Sequence, residues 1–429
     1  MSDARHVSLE LPFETRTWRL QNGLVVTLMP RPALHQTYAM FATRYGSVDR
    51  AFRTDGKAHE MPDGIAHFLE HKMFEDPEMD VFARFAAHGA SVDAYTTFDH
   101  TAYYFSGTGE IAKHVGTLLD FVQSIHLTDE NVEKEKGIIA QEIHMVNDHP
   151  DRRGYMELLR AMYHVHPVRI DIAGTVESVR AITKEQLLLC YETFYHPSNM
   201  VLVIAGGFDA DEIAHVIEEN QAKKSFKEPP STERLYPDEP PTPARSRHWV
   251  HFPVQQPRLL VGWKEANGAF GSNLIEQDTA MTILLDALFG PTSAFYQSLL
   301  DEGLIDKGFS AGYQLSNTFG YTLVGGNTPH PDVLAERIQS HVARVRDRGI
   351  DEEAFERARK KIMGRVLMSL DQNAFLVRNW VTYFLRGAEA FAFADVIAVL
   401  QTMTLERANA RLQEHLREDN MVVSAVVPS

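Results

Sequence analysis

The run GIAHFLEHKMFED, residues 64–76, sets His67, Glu70 and His71 among Ile65, Phe68, Leu69, Met73 and Phe74, positions that read as the buried side of a helix. Residues three and four apart on a helix share a face, so the three polar groups project together. Two imidazoles one turn apart can hold a single zinc through ring nitrogens about 2.0–2.1 Å away. Glu70 stands beside that face and can reach an activated water without being a ligand itself. A single histidine in an apolar helix is usually a satisfied core histidine. Three polar groups on one face are harder to accommodate, because each one buried without a partner costs roughly 1–3 kcal/mol. A catalytic zinc also needs a third protein ligand and an open position. The downstream stretch EKEKGIIAQEIHMVND offers Glu135 and Glu142, seven residues apart and so on one helical face.

Other candidate groups carry less. The run HMVNDHPDRRGYMELLRAMYHVHP holds His144, His149, His164 and His166 near polar, proline-bearing turns with no acid placed for catalysis, and reads as surface or loop histidines. The pairs Gly206-Gly207 and Gly325-Gly326 lack phosphate-loop spacing and read as strand-end turns. No G-x-S-x-G occurs, and Cys190, the single cysteine, lies in an apolar helical context that suits an inert buried thiol.

These groups need elements to hold them. Strands are predicted at 24–29 and 37–48, the zinc-type helix at 64–76, two strands joined by a polar turn around Asp99 at 90–108, helices at 110–124 and 129–147, and a buried strand at 199–208. Residues 222–247 hold six prolines among charged and small residues, a linker composition. Beyond it the order repeats: strand at 257–264, helix at 276–290, strand at 319–328, a long helical stretch at 331–371, and a closing strand at 420–427. NMVLVIAG and NMVVSAVV, which end the two halves, echo each other. The pattern predicts an internal duplication of α+β domains: a catalytic domain over 1–221, a linker over 222–247 and a non-catalytic homologue over 248–429.

Composition sets the outer bounds. The 429 residues are 44% hydrophobic and 23% charged, ordinary for a globular chain of two or three domains. One cysteine cannot form an internal disulfide, and the N-terminal run has no signal pattern, so a cytoplasmic location is expected. No apolar window is long enough for a membrane span. A formal charge of -16 repels nucleic acid at long range and reads first as a solvated acidic surface, attraction of basic peptides being the lesser reading.

With these residues in view, GIAHFLEHKMFE, GASVDAYTTFDHTAYYF, EKEKGIIAQEI, HPVRIDIAGTVESVRAIT and FYHPSNMVLVIAG together resemble the M16 metallopeptidases, the family of pitrilysin, insulinase and the mitochondrial processing peptidase. The resemblance covers essentially the whole chain and is nearest to the small bacterial M16B-like branch. H-x-x-E-H is the inverzincin order. The resemblance implies an α+β fold of two homologous α/β-sandwich domains and a zinc endopeptidase with Zn2+ as cofactor. It makes His67 and His71 the imidazole ligands, Glu142 the carboxylate ligand, Glu70 the general base and Glu135 a supporting acid behind the ligands. Asp93, Ala94 and Tyr95 fall on the edge strand where a peptide substrate would add as a β-strand, although the family usually has asparagine at Asp93.

Active single-chain members also carry an arginine and a tyrosine seven residues apart in the C-terminal domain. In the matching stretch SLLDEGLIDKGFS those places hold Leu299 and Asp306, and the 276–290 helix has no H-x-x-E-H. The resemblance therefore implies the catalytic subunit of a heterodimer whose zinc-less homologous partner supplies the pair, a homodimer being the other arrangement. Tyr313 and Tyr321 are the alternatives within this chain. Short or unfolded peptides, including leader peptides, are the implied substrates. A non-catalytic peptide-binding or assembly subunit is the rival reading.

Overall fold

The computed structural model describes residues 13–77, 80–265, 268–269 and 271–429. Its strands are β1 (Arg16–Arg19), β2 (Val25–Pro30), β3 (Thr37–Thr43), β4 (Ala51–Thr54), β5 (Lys57–Glu60), β6 (Ala90–Thr96), β7 (Thr101–Gly107), β8 (Met200–Gly206), β9 (Thr232–Arg234), β10 (Arg247–Phe252), β11 (Arg258–Lys264), β12 (Ser310–Leu315), β13 (Gly320–Asn327) and β14 (Met421–Pro428). They form a six-stranded sheet in the order β1-β2-β8-β3-β7-β6, a five-stranded sheet in the order β10-β14-β11-β13-β12, and a small sheet β5-β4-β9. Six helices matter for the site and its counterpart: α1 (Ile65–Met73), α2 (Asp129–Asn147), α3 (Pro150–Met162), α4 (Ser272–Phe289), α5 (Glu352–Ser369) and α6 (Asn373–Leu385).

The two large sheets share one topology. β2 pairs β8 in parallel as β10 pairs β14, and every other pairing along β8-β3-β7-β6 and β14-β11-β13-β12 is antiparallel. The NMV echo marks equivalent strands. Asn199 Nδ2 donates to the carbonyls of Phe194 and Arg44, and Asn420 Nδ2 to those of His415 and Lys264. Each asparagine ties the end of the preceding helix to the end of a central strand.

Every residue of β3 and β8 is buried, as expected of continuous apolar runs covered on both faces. One face joins Val26, Phe41 and Ile204 to Phe68 and Leu69 of α1. The other face carries Met40, Val201 and Val203, and is covered by Leu376, Val377, Trp380 and Val381 of α6, from the second half of the chain. The two halves are thus interleaved.

Two sequence expectations change. The proline-rich segment is pinned along its length: β9 pairs β4, Tyr236 donates to Asp49 (2.6 Å), and Glu239 accepts from the amides of His164, Val165 and His166 at 2.7–2.8 Å while pairing with Lys264. Composition signalled the absence of periodic apolar faces, but the segment is held by side chains that satisfy buried polar groups of both halves. The 331–371 stretch is two helices, 331–348 and 352–369, broken at Gly349, whose φ of 79° cannot continue a helix.

Candidate metal centre

The start of α1 is fixed by backbone contact. Gly64 takes φ 90° at its N-cap, and a Cβ there would stand 2.4 Å from the Ala173 carbonyl oxygen; Gly174 approaches the Asp63 carbonyl equally closely. The start of α2 is held by a capping box, Thr128 accepting from Asn131 N and Asn131 from Thr128 N. Behind them Phe68 and Leu69 of α1 and Ile139 and Ile143 of α2 share one core.

Between these helices the polar groups converge. His67 Nε2 and His71 Nε2 each lie 3.6 Å from a different oxygen of Glu142, and one ligand atom from each of the three residues lies within 4.8 Å of the others. Glu142 meets only these imidazoles among the ion pairs of the described residues, which leaves its carboxylate uncompensated by any lysine or arginine. Two imidazoles and one carboxylate form a donor set suited to a catalytic zinc, so the residues fit the ion. Glu135 accepts from His71 Nδ1 at 3.0 Å and so turns Nε2 towards the cluster.

Glu70, 8% exposed, accepts a 2.6 Å hydrogen bond from Thr96 Oγ1 on β6. Burial pushes its carboxyl up to about 7 despite the Thr96 bond and the neighbouring His71. Burial, aided by the charge of His71, pulls His67 down to about 4 and keeps its ring neutral, with the lone pair of one nitrogen free for a metal. For His71 burial works downward, but the Glu135 hydrogen bond and the charges of Glu135, Glu70 and Glu142 outweigh it and raise the group. For Glu135 burial works upward, but His71 and Lys72 outweigh it and hold the carboxyl below its ordinary range.

Against this geometry, the relatives are consistent. The chain is 44% identical to the protein named "Uncharacterized zinc protease YmfH" of Bacillus subtilis, over 96% of each chain. This chain belongs to the M16 family. Residues 54–176 match the family described as Insulinase (Peptidase family M16), and residues 181–362 match Peptidase M16 inactive domain. A solved structure titled as a putative M16-like peptidase from Alicyclobacillus acidocaldarius superposes with a TM-score of 0.98 at 96% identity, over 99% of this chain and 100% of that one. A protease from Helicobacter pylori shares the fold at 15% identity, TM-score 0.83, over 97% of this chain and 100% of that one.

In this M16 chain the five residues singled out between α1 and α2 come together, whereas the substrate-strand residues divide. Only Ala94 packs on the Thr96 side of β6. Tyr95 belongs to the opposite face, its ring 5.4 Å from the guanidinium carbon of Arg378. Asp93 accepts from its neighbour Ala94 N and from Tyr104 Oη, both at 2.9 Å. Leu299 is fully buried, and Asp306 caps its own loop by accepting from Gly308 N.

Of the two alternative tyrosines, Tyr313 donates to Glu265 inside the second half. Tyr321 instead meets the hydroxyl of Tyr155 on α3, one turn beyond Arg152. Arg152 is held by Asp171 through two bonds of 2.8 and 2.9 Å, and both charges act on His67.

Two other readings resolve here. His144 and His149 are exposed and His164 half-buried, but His166 is buried, its Nδ1 accepting from Val168 N and its Nε2 paired with Thr318. It is a loop histidine enclosed by the other half. Cys190 is fully buried, and burial pushes its thiol up to about 12. Sequence reasoning missed Lys72, Thr96 and the Arg152–Asp171 pair. The first two had signals: a lysine on the buried side of α1, and a residue two beyond Ala94 on the same strand face. Arg152 and Asp171 had none, since only the tertiary fold brings them beside His67.

Proposed function

We propose that this chain is a zinc-dependent endopeptidase acting on short or unfolded peptides, with His67, His71 and Glu142 as ligands. The convergence of their donor atoms within 4.8 Å, with Glu70 alongside, carries the reading. When bound, zinc supplies a Lewis acid that polarises the scissile carbonyl and brings the pKa of a water towards about 7. Glu70 takes the proton of the attacking water and passes it to the departing amine, a role suited to a carboxyl raised to about 7. Thr96 anchors Oε2 of Glu70 and thereby orients the carboxylate. Glu135 holds the His71 ring, and the substrate strand adds to the free edge of β6, with Ala94 on the catalytic side.

The missing arginine and tyrosine support a heterodimer with a zinc-less homologue, leader-peptide processing being one use of such a pair. No described helix is long and apolar enough to cross a membrane, and with one cysteine a cytoplasmic setting fits. Metal analysis of this chain beside peptide cleavage in the presence of its homologous partner tests the enzyme reading: wild type carries one zinc and cleaves, whereas Glu70→Gln keeps the zinc and loses cleavage. Wild type without zinc, or Glu70→Gln at full speed, overturns it. Full activity of the purified chain alone overturns the heterodimer.

A further inference from the structure

Lys72 is 0% exposed, although it lies in the helix that presents the two histidines. Lysine is almost never fully buried unless paired, because removing an ammonium from water costs several kcal/mol. Among the described residues it has three partners: Glu75 Oε1 at 2.6 Å, the Asn131 carbonyl at 3.2 Å and Glu135 Oε2 at 3.6 Å. The other oxygen of Glu135 accepts from His71 Nδ1 at 3.0 Å. One carboxylate is therefore bracketed, imidazole on one oxygen and ammonium on the other. Glu75 lies just beyond the end of α1, while Asn131 and Glu135 lie in the first turns of α2, so the ammonium also joins the two helices that form the cluster.

We propose that Lys72 is a positioning residue for the metal: it fixes Glu135, which in turn keeps Nε2 of His71 directed at His67 and Glu142. Without the ammonium, Glu135 retains only the imidazole, and the His71 ring gains freedom to rotate out of register. Lys72 touches none of the ligand atoms and acts wholly through Glu135. The inference rests on the zinc reading above.

The test is the zinc affinity of the full chain, stripped with a chelator and titrated in competition with a chromogenic chelator, for wild type, Lys72→Met, Glu135→Gln and the double variant. Loss of an outer-shell partner typically weakens metal binding about 10–100-fold. Lys72→Met is expected to weaken it about 10-fold. In the Glu135→Gln background the same change is expected to cost less than about twofold, because its route is already cut. Unchanged affinity in Lys72→Met, or losses that multiply in the double variant, overturns the proposal while leaving the zinc site standing. Wild type that binds no zinc overturns both readings. A lysine that serves only to join the helices would lower the melting temperature of the metal-free chain by the same amount in either background without coupling to Glu135. If Lys72→Met does not fold, Lys72→Gln, neutral but still a donor, is expected to show the same loss of affinity and the same coupling.

Discussion

The two halves of the molecule build the same sheet and use it in opposite ways. Register places Thr96 of β6 and Tyr313 of β12 at equivalent points, each opposite a threonine, Thr101 or Thr322, on the next strand. Thr96 offers its hydroxyl to Glu70, which among the described residues has no lysine or arginine against it. Tyr313 offers its hydroxyl to Glu265, and there Arg411 pairs with the carboxylate while His415 Nδ1 lies 3.2 Å away. Between the paired helices the contrast repeats. α1 and α2 hold two imidazoles and Glu142, whereas α4 and α5 are joined by Asp286 and Lys361 at 2.7 Å. Among the described residues the first half leaves Glu70 and Glu142 without a lysine or arginine partner, although Glu135 has Lys72. At the matching places the second half supplies Glu265 with Arg411 and Asp286 with Lys361.

The strongest way to break this comparison is chemical. Glu70→Gln preserves shape and the Thr96 contact but removes the base, and kcat is expected to fall about 10²–10⁴-fold with zinc retained. Peptide hydrolysis with metal analysis on the same sample checks both. Glu142→Gln should instead lose the zinc while the metal-free chain melts at or above the wild-type temperature, since an uncompensated carboxylate has been removed. Glu265→Gln, its opposite, should leave zinc binding intact and cost about 1–3 kcal/mol of stability, because the buried Arg411 loses its buried carboxylate and keeps the exposed one of Glu414 at 3.0 Å. Denaturant unfolding of the metal-free variants separates the two. Equal stability losses would show that the halves do not differ in the way described.

A subtler comparison concerns what the halves share. Asn199→Ala and Asn420→Ala each leave carbonyls at the end of a central strand and of the preceding helix without their donor, and matched losses of about 1–3 kcal/mol are expected. A loss confined to one half would mean that the NMV echo is not a shared clamp.

The sequence carried most of the first half. His67, Glu70 and His71 were legible because helical spacing is local, and Glu135 with Glu142 because seven residues make two turns. The duplicated strands were legible from their apolar runs. Less was legible wherever partners are distant in the chain. Nothing local reveals that α6 caps the first sheet, or that Tyr321 reaches Tyr155. β4, β5 and β9 are three or four residues long and form a small sheet only because the proline-rich segment folds back on β4. The edge strand shows the same limit in miniature. Alternation alone puts Asp93 and Tyr95 on the face away from Thr96, but which face meets α1 is decided by the fold.

The smallest expected effect again contrasts the halves. His341, on the 331–348 helix, stacks on Phe295 at 4.0 Å and is pulled down to about 4, first by burial and then by the charge of Arg344. His67 is pulled down to about the same value, also by burial first. Below its ordinary value of about 6.5 the unfolded chain takes up a proton that folded His341 refuses until about pH 4. Its contribution is therefore present above about pH 6.5 and lost as pH falls from there towards 4. His341→Phe keeps the stack and removes the titration, so its melting temperature should fall less than that of wild type between pH 7 and 5, by roughly 1–3 °C. That difference should be the same with and without zinc. In the second half a depressed imidazole is a matter of packing, whereas at His67 the same burial keeps a ring lone pair available beside His71 and Glu142. A zinc-dependent effect of His341→Phe would join the two histidines and dissolve the distinction.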